Sequence, residues 1–204
     1  MTTPVIYTIG HSNHEWSAFL ALLHRHDITA LGDVRSSPYS RMYPQFGRAN
    51  LERALRPAGI TYVFLGREFG ARSEDRSCYV DGRVSYERLG RTAAFAEGVE
   101  RVRRGAATHR IALMCAERDP LDCHRTILVA EKLMAAGFDV RHILADGAIE
   151  PHDAAVERLL ALHDLVQEDF FRSRDMRIRI AFEQQESKIA YSLASADAEQ
   201  TEKE

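Results

Sequence analysis

Residues 113–125 read LMCAERDPLDCHR and bring two thiols, several carboxylates, an imidazole and guanidinium groups into one short segment. An apolar run from Ile111 to Cys115 leads into this segment, and an amphipathic stretch follows it. The pattern predicts a buried strand followed within a few residues by a helix. In an open α/β sheet, ligands bind at the carboxyl ends of the strands, so this junction indicates a functional site.

Further apolar, β-branched runs alternate with helical segments along the chain. Such alternation predicts right-handed βαβ units and a parallel sheet covered on both faces. We therefore expect an α/β fold: a doubly wound, Rossmann-like, mostly parallel five-stranded sheet with helices on both faces, plus a C-terminal helical extension. The simplest strand order is 3-2-1-4-5, with the first and fourth strands side by side. The predicted strands are 5–9, 28–34, 60–65, 111–115 and 138–144.

Capping patterns predict where the helices begin. Ser12 and Glu15 form an S-x-x-E box, which predicts a helix to about His26, and Asp122 is expected to cap the helix that ends at Gly137. Segments 36–47 and 66–83 are predicted loops, and 84–104 is predicted as one helix. The expected organisation is an α/β domain at 1–160, a helical extension at 161–192 and a disordered tail at 193–204.

The composition excludes several classes of protein. The 204-residue chain carries a net charge of -3, which argues against a polycation built to bind nucleic acid. No apolar run approaches the roughly 20 residues of a membrane span, and the N-terminus lacks a signal-peptide pattern. Three cysteines are too few, and odd in number, for a secreted disulfide framework. We expect a cytoplasmic protein that does not contact membranes.

Three polar clusters each follow a predicted strand directly, at residues 10–12, 33–41 and 115–125. Parallel strands end at the same edge of a sheet, so the clusters should converge although they are far apart in sequence. One polar residue after a strand is usually a cap or a turn. Three rich clusters on one edge are better explained by a site.

The same segments resemble the domain of unknown function 488 family. The resemblance rests on TIGHS at 8–12, DVRSSPYSR at 33–41, MCAERDPLDCHR at 114–125 and VRHI at 140–143. It covers roughly residues 5–145 and leaves the C-terminal third outside. The family implies a compact, cytoplasmic α/β domain and brings no established reaction, so the chemistry must be argued from the residues.

Cys123 is the candidate nucleophile. With Asp122 as the cap, it would lie in the first turn of a helix, where backbone amides and nearby arginines stabilise a thiolate. Cys115 would assist it, and two thiols that face the crevice would form a reversible attacking and resolving pair. The alternative is that each cysteine fills a gap between helix and sheet. Cys78 has no polar residues around it and is expected to play no part.

His11 and His124 are the candidate proton carriers, because an imidazole titrates near neutral pH. Glu117 is a candidate to orient an imidazole or to accept a proton. The alternative is that the histidines are structural residues and that the carboxylate is a cap. A thiol, an imidazole and a carboxylate at one strand end together favour proton-coupled nucleophilic chemistry.

Arginines supply the candidate anion ligands, because a planar guanidinium matches phosphate or carboxylate. The alternative pairs Arg125 with Glu117 and Arg35 with Asp33 as internal ion pairs. No G-x-G-x-x-G or P-loop pattern is present, which argues against a dinucleotide or ATP site. The predicted substrate-binding residues are Ser12, Asp33, Arg35, Ser37, Tyr39, Arg41, Arg125 and His142.

No metal or cofactor is expected. Zinc at Cys115, Cys123, His124 or His11 is a minority alternative, because all four are zinc ligands by type. Adjacent helical residues such as Cys123 and His124 diverge by about 100°, which makes them awkward ligands for one ion.

The leading hypothesis is an enzyme that uses cysteine and histidine chemistry on a small anionic substrate, phosphate-like or nucleotide-like. One alternative is a non-catalytic module for a nucleotide or a nucleic-acid end, favoured by eight arginines against four acids (a charge of +4) between residues 35 and 76, interleaved with aromatics. A redox or metal sensor is another. The C-terminal helices are expected to dock on the body or to form a homodimer.

Overall fold

The computed structural model describes residues 3–167 and 171–194, and its centre is a six-stranded sheet. The strands of this sheet are β1 Val5–Gly10, β2 Ala30–Asp33, β3 Thr61–Phe64, β6 Ile111–Cys115, β7 Asp139–Ile143 and β8 Ile149–Pro151; a separate antiparallel ribbon is formed by β4 Tyr79–Val80 and β5 Arg83–Val84. The first five sheet strands are parallel, and β8 runs antiparallel to β7 at one edge. The expected mostly parallel α/β fold is confirmed, with one edge strand more than the five predicted.

Helices cover both faces of the sheet. Alternate residues of β1 and β6 belong to two separate apolar clusters: Ile6 and Leu113 face one, and Ile9 and Met114 face the other. This division follows from the two-residue period of a strand, which points successive side chains to opposite faces. The helices are α1 Trp16–Arg25, α2 Arg48–Leu55, α3 Gly66–Phe69, α4 Tyr86–Leu89, α5 Ala93–Ala106, α6 Glu131–Ala135, α7 His152–Leu162 and α8 Arg174–Ile189.

The strand order is β3-β2-β6-β1-β7-β8, so the predicted order 3-2-1-4-5 is wrong. The fourth predicted strand, β6, lies between β1 and β2. Its pairing with β1 and the pairing of β2 with β3 are the parts of the prediction that hold. The register pairs Gly10 with Cys115 and Asp33 with Met114. The ends of β1 and β2 therefore flank the end of β6, which brings the three polar clusters together.

Two predicted helix starts are wrong. The residue before α1 is Glu15, which makes no side-chain capping bond, and Ser12 instead adopts a left-handed φ of 45°. Asp122 is exposed and ends a short 3₁₀ turn. Cys123 takes the cap position with an extended backbone (φ -140°, ψ 141°), and its carbonyl accepts hydrogen bonds from the amides of Thr126 and Ile127.

The region from 66 to 104 is more structured than predicted. Segment 66–83 contains α3 and the ribbon, and the helix predicted at 84–104 is divided into α4 and α5. The division occurs because Val84 pairs in the ribbon and Thr92 caps α5 by accepting from the amide of Phe95. A side-chain cap of this kind starts a new helix.

The C-terminal extension packs on the body of the same chain. Gln185 on α8 donates from Nε2 to the carbonyl of Leu121 at 2.9 Å, and Glu186 accepts from the amide of Tyr86 at 2.8 Å. Ala181 is fully buried in the main core. These contacts bury part of α8 against the body of the chain. A homodimer through these helices stays a prediction. The predicted tail at 193–204 lies outside the described residues from 195 onward.

None of the described helices has the length and apolar character that a bilayer crossing requires.

Candidate functional site

A cleft of about 940 Å³ opens at the edge where β1, β2 and β6 end. The backbone pairing continues past these ends: the amide of His11 donates to Cys115 O at 2.9 Å, and the amide of Ser12 donates to Ala116 O at 2.8 Å. The three polar clusters are thus held against one another by main-chain hydrogen bonds. Of the predicted site residues, those that line the cleft are His11, Ser12, Arg35, Ser37, Tyr39, Arg41, Cys115, Glu117, Cys123 and His124.

Two thiols and one imidazole meet at the floor of the cleft. Nδ1 of His124 lies 3.7 Å from Sγ of Cys115 and 3.8 Å from Sγ of Cys123. Its other nitrogen, Nε2, donates to the carbonyl of Val34 at 3.2 Å, which turns Nδ1 toward the sulfurs. Cys115 is 3% exposed and Cys123 is 2% exposed, so reagents reach either sulfur only along the cleft.

The three groups share charge unequally. A hydrogen bond from Cys123 and the adjacent His124 lower the pKa of Cys115, despite its burial. Burial and the neighbouring Cys115 raise the pKa of Cys123. Burial alone would lower the pKa of His124, but the Cys115 thiolate outweighs it and raises that pKa. The arrangement favours a thiolate–imidazolium pair in which Cys115, rather than the predicted Cys123, carries the negative charge.

Cys123 is positioned to support that charge. Its Sγ accepts from the backbone amide of Arg125 at 3.4 Å, as an N-cap side chain does. The helix that follows begins with a π-helical segment, Arg125–Ala130, before α6. Such wide turns are rare and often lie at functional sites.

Glu117 brings a carboxylate to the same floor. Its Oε2 is buried and has no hydrogen-bond partner among the described residues. Burial alone would raise the pKa of Glu117, but the neighbouring Cys123 thiol and the charge of His124 outweigh it and lower that pKa. The ionised carboxylate in turn raises the pKa of His124 and so favours the imidazolium.

Arg35 lines the cleft, but most of its donors are used inside the protein. It binds Asp33 through Nε at 2.9 Å and Nη2 at 2.6 Å, and Nη2 also donates to the carbonyl of Phe46 at 2.8 Å. Asp33 is fully buried, does not line the cleft and also accepts from Tyr62. The ion pair between Asp33 and Arg35 is therefore present, and Asp33 holds Arg35 rather than a ligand.

His11 is held in one neutral form. Nδ1 donates to Ser12 O at 2.9 Å, Nε2 accepts from Nη1 of Arg35 at 3.1 Å, and the ring stacks on Phe46. Burial, together with the Arg35 charge, lowers the pKa of His11 to about 4. The lone pair of Nε2 is already occupied, so His11 supports the wall of the cleft and is poorly placed as the predicted general base.

The low pKa of His11 predicts acid-sensitive stability. Because the folded pKa is below the unfolded value of about 6.5, the unfolded chain binds more protons as the pH falls from 6.5 to 4. The stability present above pH 6.5 is therefore lost through this window, by up to about 3 kcal/mol from this residue. His11→Gln, which keeps an acceptor for Arg35, should flatten the decline in denaturant titrations. His24→Gln, at an exposed position on α1, should not, and equal slopes in all three proteins would refute this origin.

Arg125 does not line the cleft, which corrects the prediction that it binds substrate. Its side chain is fully buried and donates to the carbonyls of Glu117 at 2.7 Å and Arg118 at 3.1 Å. The predicted ion pair with Glu117 is also wrong, since the contact is to the main chain. Arg125 fastens the 117–118 loop over the end of β1 and places a buried positive charge near Cys123.

His142 is likewise absent from the cleft. His142 is fully buried. Its Nδ1 forms a hydrogen bond with the hydroxyl of Thr8 at 2.8 Å, and its Nε2 forms one with Nδ1 of His152 at 3.2 Å. Burial and the neighbouring His152 lower its pKa. His142 belongs to a hydrogen-bonded chain inside the protein, so its predicted role in substrate binding is corrected.

Three exposed arginines of the described chain line the cleft: Arg41, Arg72 and Arg118. Among the residues that the structure describes, Arg41 and Arg118 have no ion-pair partner. Arg118 was not predicted, although it lies inside the decisive segment 113–125. Ser37 and the 75% exposed Tyr39 lie on the same rim. The solvent-facing Arg41 and Arg118, rather than Arg35 and Arg125, are therefore the candidate anion ligands.

Further residues reach the cleft from segments without a strong sequence signal. Arg72, from the predicted loop 66–83, packs its guanidinium 4.6 Å from the ring centre of Tyr191, which follows α8. Tyr86 is buried beside the thiols, and burial raises the pKa of its phenol, which stays protonated. The C-terminal extension thus completes one wall of the site.

The donor set fits a thiophilic metal better than predicted. The ligand atoms of Cys115, Cys123 and His124 lie within 4.8 Å of one another. The argument that neighbouring helical side chains diverge fails here, because Cys123 is extended rather than helical. His11 is not part of this set, since both of its nitrogens are engaged.

The chain matches a family model described as "Domain of unknown function DUF488" over residues 15–131. The match includes the polar clusters at 33–41 and 115–125, while residues 8–12 and 140–143 lie outside it. No curated protein and no solved structure matches the chain significantly. A model match over more than half of the 204 residues shows that this chain belongs to the DUF488 family.

Proposed function

We propose that the protein is a cysteine-dependent enzyme that acts on a small anionic substrate. The observation that carries this proposal is the Cys115, Cys123 and His124 cluster at the floor of a cleft whose rim holds Arg41 and Arg118. A thiolate is the reactive form of cysteine, and an adjacent imidazolium stabilises it at neutral pH.

Each residue has a separate role in this proposal. Arg41 and Arg118 bind the anionic group of the substrate by charge-assisted hydrogen bonds. Cys115 attacks the electrophilic atom, and His124 keeps the sulfur ionised before the attack. Glu117 supports the imidazolium, because its negative charge raises the pKa of His124.

Two alkylating agents of similar size distinguish the reactivity of the thiolate from the contribution of the rim arginines. Iodoacetate is anionic and iodoacetamide is neutral, and both react with a thiolate. Arg41→Ala and Arg118→Ala should each lower the rate constant for iodoacetate about tenfold, the equivalent of one lost charge-assisted bond. The rate constant for iodoacetamide should change little.

The matched control is Arg53→Ala on α2, which removes the same charge from an exposed position outside the cleft. It should leave the ratio of the two rates unchanged. An unchanged ratio in both rim variants would mean that the cleft does not select anions and would contradict the proposal.

A metal centre is a second candidate function, favoured by the orientation of His124. A backbone carbonyl holds the Nε2 proton, as in many metal-bound histidines, and leaves Nδ1 facing two sulfurs. Native mass spectrometry of protein purified without added metal should then show one bound zinc or iron that Cys115→Ser removes. A wild-type mass equal to that of the bare chain, also after zinc addition and desalting, would exclude this candidate.

A further inference from the structure

We propose that Cys115 and Cys123 are an attacking and resolving dithiol that reduces a small anionic disulfide. This inference rests on the proposed function and names the substrate class and the reaction. It is carried by two sulfurs that both line the cleft and lie within 4.8 Å of each other.

The geometry allows the two sulfurs to bond. A disulfide requires a sulfur–sulfur distance of about 2.0 Å, so the pair must close by less than 3 Å. Cys123 lies in extended backbone between a 3₁₀ turn and a helix, outside regular main-chain pairing. Cys115, in contrast, is fixed at the end of β6 and stays in place as the attacking group.

The two sulfurs also differ in the way that such a pair requires. Attack needs a thiolate near neutral pH, whereas the resolving group must stay protonated until the mixed disulfide has formed. Sγ of Cys115 lies 3.7 Å from Nδ1 of His124, where an imidazolium stabilises a thiolate. Cys115 is fixed at the end of β6, whereas Cys123 lies on the irregular segment that can bring its sulfur to the mixed disulfide. Nδ1 of His124 also lies 3.8 Å from Sγ of Cys123 and can take its proton at the second step.

The reaction balances without a cofactor. The Cys115 thiolate attacks one sulfur of the substrate disulfide, forms a mixed disulfide and releases the other half as a thiolate. The released thiolate takes the proton of His124, and the neutral imidazole, whose Nδ1 lies 3.8 Å from Sγ of Cys123, then accepts the Cys123 proton. Cys123 attacks Sγ of Cys115, and the second half of the substrate leaves as a thiolate. The substrate gains two electrons and the protein is left with a Cys115–Cys123 disulfide, which two equivalents of a low-molecular-weight thiol reduce again.

The rim indicates the charge of the substrate. Arg41 and Arg118 are exposed at the mouth of the cleft and have no ion-pair partner among the described residues. They would bind carboxylates of a disulfide while its sulfurs reach the floor. A small disulfide with one or more carboxylates therefore fits better than a neutral or cationic one.

The test uses 5,5′-dithiobis(2-nitrobenzoate), a dianionic disulfide that releases a coloured thiolate, on the full chain after chelator treatment. The wild-type protein should release two equivalents at about pH 7 and end about 2 Da lighter, with a Cys115–Cys123 cross-link in its peptide map. Cys123→Ser should release one equivalent and keep a mixed disulfide on Cys115. Cys78→Ala, which removes a core thiol outside the cleft, should match the wild type.

A neutral disulfide, 2,2′-dithiodipyridine, tests the substrate charge. Arg41→Ala should slow the reaction with the dianionic reagent about tenfold and leave the neutral one nearly unchanged. The inference is overturned when wild type and Cys123→Ser both stop at a mixed disulfide. It is also overturned when the cross-link joins Cys78. Rapid reaction of Cys115 with iodoacetate in such a protein would leave the proposed function standing and remove only the dithiol step.

Discussion

Gly10→Ala is expected to lower the free energy of unfolding by roughly 3 kcal/mol, near the upper end for single overpacking substitutions. A Cβ atom at this position would lie 1.8 Å from the carbonyl oxygen of Glu117 and 2.6 Å from Nη1 of Arg125. The first neighbour is main chain, and Arg125 holds that same carbonyl, so neither atom can move away easily. The new methyl group must push the 117–118 loop off the end of β1.

The same displacement should disturb the site. Glu117 and Arg118 both line the cleft, so a folded Gly10→Ala protein should also lose selectivity for iodoacetate over iodoacetamide. Urea titration followed by circular dichroism measures the stability. Gly105→Ala is the control: it lies near the end of α5, its nearest neighbour is the movable side-chain tip of Ile111 at 3.1 Å, and alanine favours a helix. Equal stability of Gly10→Ala and wild type would show that the close approach is absent in solution.

Cys115 is expected to react with iodoacetamide at a pH where ordinary thiols are almost fully protonated. A free cysteine with a pKa of about 8.5 is ionised to well under 1% at about pH 6. Cys123 and His124 lower the pKa of Cys115, so its thiolate persists as the pH falls. The midpoint of its pH–rate profile should lie at least about one pH unit below that of free cysteine.

His124→Asn removes the imidazolium and should move this midpoint upward, with at least about a tenfold loss of rate near pH 6, because one pH unit of thiolate fraction is a factor of ten. The maximal rate at high pH should remain, which separates a lost charge from a collapsed site. His109→Asn, at an exposed position before β6, is the matched control. A profile for His124→Asn that coincides with the wild type would show that the histidine does not stabilise the thiolate.

Sequence reasoning predicted that the three polar clusters meet, because one rule of parallel sheets was sufficient. Every parallel strand ends at the same edge, so the clusters after β1, β2 and β6 had to meet, whichever strand lay in the middle. The order itself was not predictable from the apolar pattern. Both β2 and β6 are buried at every position, and nothing local distinguishes a central strand from its neighbour.

The roles of individual arginines depended on contacts that the chain order does not show. Arg35 and Arg41 belong to one motif, yet Arg35 is buried against Asp33 and Arg41 faces solvent. The side chain of Arg125 donates to two main-chain carbonyls, and the sequence does not show which carbonyls accept from a side chain. A guanidinium near a site can therefore bind a ligand or fasten a loop, and only packing distinguishes the two.

Local backbone geometry sets the placement of the cysteines. Asp122 is a good capping residue by type, but the cap is Cys123, whose sulfur accepts the Arg125 amide. That shift of one residue turns Cys123 toward His124 and Cys115, and it reverses the expected order of their pKa values. Tyr191 reaches the cleft from a segment more than 60 residues away in sequence from the cysteines, and no periodicity predicts such a contact.

The most direct measurement identifies which sulfur reacts first. Protein treated with substoichiometric iodoacetate at about pH 6, then denatured, digested and analysed by mass spectrometry, should carry the carboxymethyl group on Cys115. Labelling concentrated on Cys78 or Cys123, or no labelling until the protein unfolds, would contradict a cleft built around an ionised Cys115.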